Sequence, residues 1–80
     1  MTTNEIYARL ESVFEDVFDE KIKLTPSTTA DDVDDWDSLS HITLIAAVED
    51  EFGMKFKMKE VSSMKNVGEM AAIVAERAKR

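Results

Sequence analysis

Apolar residues recur every three or four positions between residues 3 and 18, with acidic residues between them. This spacing places one apolar stripe along a helix, and either Thr3 or Asn4 could cap its start. The stripe is expected to contain Ile6, Leu10, Val13, Phe14, Val17 and Phe18. The pattern therefore predicts a first amphipathic helix that faces a core, with Tyr7 and Arg9 at the rim.

A second helix is predicted from Ser38 to Phe52, and it carries two apolar faces rather than one. Asp37 and Ser38 suit its start because their side-chain oxygens can accept from free backbone N–H groups, and Gly53 suits its end. The face toward the core comprises His41, Leu44, Ile45, Val48 and Phe52. The second face comprises Leu39, Ile42 and Ala46, flanked by Thr43, Glu49 and Asp50. An apolar face exposed beside a serine predicts a docking surface, and a helix buried on both sides is the alternative.

The segment between these helices, residues 19–37, is a long polar loop. Pro26 and the many Asp, Ser and Thr residues oppose a continuous helix there. A loop of this length in a small domain is normally functional or fixed to the core. The residues expected to fix it are Ile22, Leu24, Val33 and Trp36.

Residues 54–59 alternate apolar and basic side chains, which is typical of a strand. Since no partner strand is predicted, we interpret them as an extended connector whose lysines can pair with acidic residues of the second helix. The connector is expected to place Met54, Phe56 and Met58 on the core.

The remaining sequence predicts a short helical turn around residues 60–64 and a final helix that Asn66 caps, with Glu69 in a box-like position. Its buried face is expected to contain Val67, Met70, Ala71, Ile73, Val74 and Ala78. Cations that complement the helix dipole follow at its end: Arg77, Lys79 and Arg80. The whole pattern predicts an all-α fold, a small antiparallel bundle of three main helices and one short helix, in one domain over residues 1–80.

The 80 residues carry a formal net charge of −7 and include no cysteine. A chain this acidic repels nucleic acid and anionic membranes, and it favours partners with basic patches. Disulfides and thiolate metal sites are excluded, so thiol chemistry would require an added group. No apolar run approaches the length of a membrane span, and the first residues do not form a basic segment followed by an apolar run, as a signal peptide would. We therefore expect a cytoplasmic protein. We also expect it to be a monomer.

Ser38 is the candidate site residue, but the sequence supplies no machinery to activate it. A serine nucleophile requires a base, a group that orients this base and an oxyanion hole. His41 is the only histidine, and it lies on the core side of the helix without a predicted orienting partner. The two glycines, Gly53 and Gly68, cannot form a phosphate-binding loop. The chain is predicted not to be an enzyme.

Five of the seven residues from Asp31 to Asp37 are aspartate. They do not match the EF-hand loop, which requires acids at its first, third and fifth positions and glycine at its sixth. Repulsion between neighbouring carboxylates favours a weak, diffuse attraction for divalent cations. No specific metal site is predicted.

Asp37-Ser38-Leu39 opens a helix that runs through Leu44-Ile45 to Glu49-Asp50-Glu51-Phe52-Gly53, and it resembles the corresponding helix of acyl carrier proteins. The resemblance extends over nearly the whole chain. It implies that Ser38 carries a 4′-phosphopantetheine arm, attached from coenzyme A by a phosphopantetheinyl transferase, and that acyl groups are carried as thioesters on its thiol. Asp37 and Leu39 would frame recognition by the transferase. Acyl-transfer, synthase or ligase enzymes with basic patches would contact Leu39, Ile42, Thr43, Ala46, Glu49 and Asp50.

The chain departs from fatty-acid carriers at four positions. Asp35 and Trp36 occupy positions where those carriers commonly have a glycine and a small or apolar residue, and Ser40 and Thr43 replace acidic residues. Partners that recognise negative charge there should bind more weakly. A specialised carrier in polyketide, lipid A or cell-surface acyl transfer is favoured at least as much as a fatty-acid carrier.

Three hypotheses remain open beside this one. His41 could line the entrance to an acyl cavity. The chain could be an acidic helical interaction module without a prosthetic group, in which Ser38 is only a helix cap. An acidic calcium binder is the least favoured of the three.

Overall fold

The computed structural model describes residues 2–79, which form four α-helices connected by loops. Helix α1 spans Thr3–Phe18, α2 spans Ser38–Phe52, α3 spans Met58–Ser63 and α4 spans Val67–Arg77. A single 3₁₀ turn, Ala30–Asp32, interrupts the first loop, and residues 2–79 contain no strand. The predicted all-α fold of three main helices and one short helix, with a long first loop, is confirmed.

Helix α1 begins one or two residues earlier than predicted. The Thr2 hydroxyl accepts the N–H of Glu5 at 3.1 Å, and the Glu5 carboxylate accepts the N–H of Thr2 at 3.2 Å. This reciprocal capping box satisfies two backbone donors at once. The prediction that Thr3 or Asn4 caps the helix is therefore wrong, because the box draws both residues into the first turn.

The core lies where α1 packs against α2 and α4. The predicted stripe of α1 is buried except at Val17, which is half-buried. From the first loop, Leu24 and Val33 are buried, and Ile22 and Trp36 are half-buried against the core. The core residues contributed by the second half of the chain are Leu44, Ile45, Val48, Phe52, Met54, Val67, Met70, Ala71 and Val74.

The connector after α2 matches its prediction only in part. Met54 is buried and Phe56 is half-buried, but the Met58 side chain is 88% exposed. Met58 is the first residue of α3, after the N-cap Lys57. The backbone changes there from a period of two residues to one of 3.6, so the alternation no longer keeps Met58 on the core side. The prediction that Met58 packs on the core is wrong.

The start of α4 is tied to the first loop. The backbone N–H of Val67 donates to Thr28 O at 2.8 Å, and that of Gly68 donates to Pro26 O at 3.0 Å. Asn66 caps the helix as predicted, since its side-chain oxygen accepts the N–H of Glu69 at 2.9 Å. The Glu69 carboxylate accepts from the N–H of Lys65 rather than from the cap residue. Ile73 and Ala78, which were expected in the core, are only half-buried.

Arg77 connects α4 to α3. Its guanidinium donates two hydrogen bonds to the Glu60 carboxylate, and this pairing lowers the pKa of Glu60 to about 2. Of the other two cations expected at this end, Lys79 donates its backbone N–H to Phe52 O, and Arg80 lies outside the described residues. The short helix is therefore held to the last helix by a charged pair.

Candidate functional site

Ser38 is the first residue of α2, and its side chain is exposed. Its neighbours make the helix cap without it. Asp37 Oδ1 accepts the N–H of Leu39 at 3.0 Å and that of Ser40 at 2.9 Å, and the Ser40 hydroxyl accepts the N–H of Asp37 at 2.8 Å. The hypothesis that Ser38 is only a helix cap is therefore wrong. Within residues 2–79, no hydrogen bond engages the Ser38 hydroxyl.

The Asp37 carboxylate is held in its charged form. The backbone N–H of Ser40 is the main cause that lowers the pKa of Asp37, with the N–H of Leu39 acting in the same direction. A carboxylate with a lowered pKa is a weak base. Asp37 therefore fixes the turn that presents Ser38 and is poorly suited to activate its hydroxyl.

His41 lies one turn further along α2, with both ring nitrogens engaged. The indole Nε1–H of Trp36 donates to His41 Nδ1 at 3.0 Å, and the two rings stack with centroids 5.9 Å apart. An indole N–H can only donate, so Nδ1 must be unprotonated. Nε2 then carries the proton and donates to Val61 O at 3.2 Å. In this arrangement neither nitrogen can accept the proton of Ser38, so His41 does not act as its base.

A cavity of about 330 Å³ opens beside Ser38, between the start of α2 and the end of α3. Its apolar wall includes Trp36, Val61, Met64 and the ring of His41. The polar residues at its rim include Asp37, Ser62, Lys65 and Asn66. The sequence did not identify the residues that α3 and the following turn contribute, because no local pattern shows which residues of a distant helix approach Ser38.

The second apolar face of α2 is exposed, as expected of a docking surface. The side chains of Leu39 and Ile42 are 79% and 66% exposed. Thr43, Ala46 and Asp50 are also exposed. The alternative of a helix buried on both sides is therefore excluded. Exposed apolar residues of this size next to Ser38 form a surface that a partner protein could cover.

Glu49 differs from the other residues expected on this surface. Its side chain is only 18% exposed, and Oε2 accepts the backbone N–H of Phe56 at 2.8 Å. Lys55 Nζ lies 3.9 Å from Oε1, which agrees with the predicted pairing between the connector and α2. The connector has no regular structure to satisfy its N–H groups, and the Glu49 carboxylate accepts one of them. Glu49 therefore fixes the connector, and it is not a free charge at the rim.

The model of the family described as "Phosphopantetheine attachment site" matches residues 8–74. The fold also matches the solution NMR structure of the holo acyl carrier protein from Geobacter metallireducens. The two chains are 41% identical, with a TM-score of 0.83 over 90% of this chain and 84% of that chain. The chain belongs to the acyl carrier protein family. Its prosthetic group is accordingly 4′-phosphopantetheine, which is carried on a serine. None of the curated protein sequences compared with the chain matches it.

The residues at the start of α2 fit a covalently attached arm. Attachment through a phosphodiester requires an accessible hydroxyl that the fold does not use, and Ser38 provides one. The arm is long and flexible, and the cavity beside Ser38 offers it both apolar and polar surface. In the acyl carrier protein family a separate transferase performs the attachment, so the carrier's own residues do not have to activate the hydroxyl.

Two other kinds of site are absent from the described residues. Among residues 2–79, no three His, Cys, Asp or Glu side chains gather into a group that could hold a metal ion. None of the helices described is long and apolar enough to span a bilayer. The aspartates of the first loop thus do not converge on a common point.

Proposed function

We propose that Ser38 carries the 4′-phosphopantetheine arm, and that the chain presents acyl groups, bound as thioesters to the arm, to partner enzymes. The observation that supports this most is the exposed Ser38 hydroxyl, which the Asp37 and Ser40 cap leaves without a hydrogen bond in residues 2–79. The hydroxyl would attack the phosphorus of coenzyme A next to the pantetheine. A phosphodiester forms, the nucleoside bisphosphate leaves, and the transferase accepts the serine proton.

We further propose that partners bind the exposed face of α2. Leu39 and Ile42 would supply most of the apolar contact, with Thr43, Ala46 and Asp50 around them. The net charge of −7 would attract enzymes with basic patches and accelerate their association. The transferase would recognise Asp37 and Leu39, which lie on either side of the attachment residue.

We also propose that the protein is a cytoplasmic monomer. Its acyl groups would belong to a fatty-acid, polyketide, lipid A or cell-surface pathway, and a specialised route is favoured at least as much as fatty-acid synthesis. Ser40 and Thr43 support this because neither supplies the negative charge that partners of fatty-acid carriers would recognise. Ser40 instead accepts the N–H of Asp37 and donates its hydroxyl to Asp35 O at 2.8 Å. Recognition would therefore depend less on charge at these positions.

Intact-mass measurement after incubation with coenzyme A and a transferase of broad specificity tests the attachment. The wild type should gain the mass of one arm, and Ser38→Ala should gain none. Ser12→Ala is the matched control, because Ser12 is also an exposed serine of a helix, and it should be modified like the wild type. A mass gain in Ser38→Ala would refute the assignment. So would an unmodified wild type when a reference carrier is modified in parallel.

A further inference from the structure

We propose that the phosphate end of the arm lies in the cavity between α2 and α3, where the Lys65 ammonium group binds the phosphodiester. This inference rests on the proposed attachment to Ser38 and assigns the arm a place on the protein. Ser38 itself lines the cavity, so an arm attached to it begins at the cavity mouth. Lys65 lines the same cavity from the turn that follows α3.

Electrostatics favours Lys65, rather than the N–H groups at the start of α2, as the group that binds the phosphodiester. The Asp37 carboxylate already accepts the N–H groups of Leu39 and Ser40, which would otherwise be available to an anion at a helix N-terminus. The same carboxylate repels a phosphodiester attached to the next residue. Among the described residues that line the cavity, Lys65 is the only lysine or arginine. It is exposed, and it forms no ion pair within residues 2–79.

The size and lining of the cavity determine which part of the arm it holds. A volume of about 330 Å³ is near the lower end of the range of roughly 300–1,000 Å³ found for small-molecule sites. It therefore holds the phosphate and the adjoining pantoate portion rather than the entire loaded arm. Val61 and Met64 offer apolar contacts to the methyl groups of that portion. The Ser62 hydroxyl donates within its own helix and keeps its acceptor capacity for an amide N–H.

This placement has a functional consequence. The phosphate end is restrained beside Ser38, while the thiol end stays outside the cavity, where a partner enzyme can reach it. An exposed ion pair contributes only modestly, so the arm exchanges between docked and free positions. Docking by Lys65 would thus limit where the thioester moves without preventing its transfer.

The experiment compares apo and holo protein by 1H–15N NMR, with the holo form confirmed by mass. Attachment of the arm should shift the amide signals of residues 61–66 in the wild type. Lys65→Ala should lower the ratio of docked to free arm by about 1.5-fold to fivefold, the range of an exposed ion pair. Lys65→Glu should lower it further, and Lys65→Arg should retain the wild-type shifts. Lys59→Glu is the control, since Lys59 is also exposed but does not line the cavity.

Salt provides a second measurement on unmutated holo protein. Raising ionic strength from about 0.1 M to 1 M shortens the Debye length from about 10 Å to 3 Å, so the shifts at residues 61–66 should diminish. If the wild type gains the arm but these signals do not move, the inference about Lys65 is refuted while the proposed attachment to Ser38 stands. The same conclusion follows if Lys65→Glu gives wild-type shifts. If the wild type gains no arm, the proposed attachment fails and the inference fails with it.

Discussion

Replacing His41 with phenylalanine should loosen the connection between the first loop, α2 and α3. The substitution keeps an aromatic ring to stack on Trp36, but it removes both nitrogens that form hydrogen bonds. The indole N–H of Trp36 and the carbonyl of Val61 are then left without these partners. At about 0.5–1.5 kcal/mol for each hydrogen bond, the expected loss is about 1–3 kcal/mol in the free energy of unfolding. For a domain of this size, each kcal/mol lowers Tm by about 4–8 °C.

A double-mutant cycle isolates the Trp36–His41 contribution. The variants are His41→Phe, Trp36→Phe and the double substitution, and the measurement is urea unfolding followed by far-UV circular dichroism. Circular dichroism is needed because Trp36 is the only tryptophan, so Trp36→Phe removes the fluorescent probe. The expected coupling energy is about 0.5–1.5 kcal/mol, the value of one hydrogen bond.

Thr43→Ala is the matched control on the same helix, because Thr43 is exposed and outside the core. It should change the free energy of unfolding by no more than about 0.5 kcal/mol. Additive effects of His41→Phe and Trp36→Phe, within about 0.3 kcal/mol, would show that the two rings do not interact energetically. The role of the Trp36–His41 hydrogen bond as a contact that stabilises the fold would then be refuted.

Three further outcomes follow from other contacts. In Gly68→Ala, the added Cβ would lie 2.8 Å from Pro26 O, so unfolding in urea should show a loss of about 1–3 kcal/mol. Arg77 lowers the pKa of Glu60 from 4.5 to about 2, so the folded state binds fewer protons than the unfolded state. Stability from this pair is complete above pH 4.5 and is lost as the pH falls toward 2, and a pH series on Glu60→Gln should lack this loss. Leu39→Ala should raise the KM of the phosphopantetheinyl transferase while changing the free energy of unfolding by no more than about 0.5 kcal/mol, because Leu39 is 79% exposed.

The main helices could be predicted because their information is local. Each has an apolar stripe of period 3.6 and polar residues suited to its ends, and Asp37, Gly53 and Asn66 all serve as the caps they were expected to be. The exposed face of α2 could also be predicted, since a core of this size needs only one stripe from each helix. The location of Ser38 at the start of α2 follows from these local signals.

The differences from prediction arise where the period of the backbone changes, or where the outcome depends on contacts between distant residues. Glu49 looked like a surface acid, but the N–H of Phe56 in the connector requires its carboxylate. Met58 looked like a core residue, but the start of α3 turned it outward. The pairing of Arg77 with Glu60 joins residues 17 positions apart. No periodicity in the sequence encodes which acceptor a given donor will reach.

The departures from fatty-acid carriers form a connected set in the structure. A half-buried tryptophan at position 36 needs an acceptor for its indole N–H, and His41 supplies it. The Nε2–H group of His41 then donates to Val61 O. Through His41, the tryptophan at position 36 therefore also restrains α3. At position 40 a serine closes the cap in place of an acid, which leaves Leu39 and Ile42 as the main features beside Ser38. Because Ser40 and Thr43 carry no charge, partners of this chain should depend for residence on Leu39 and Ile42 more than on charge at positions 40 and 43.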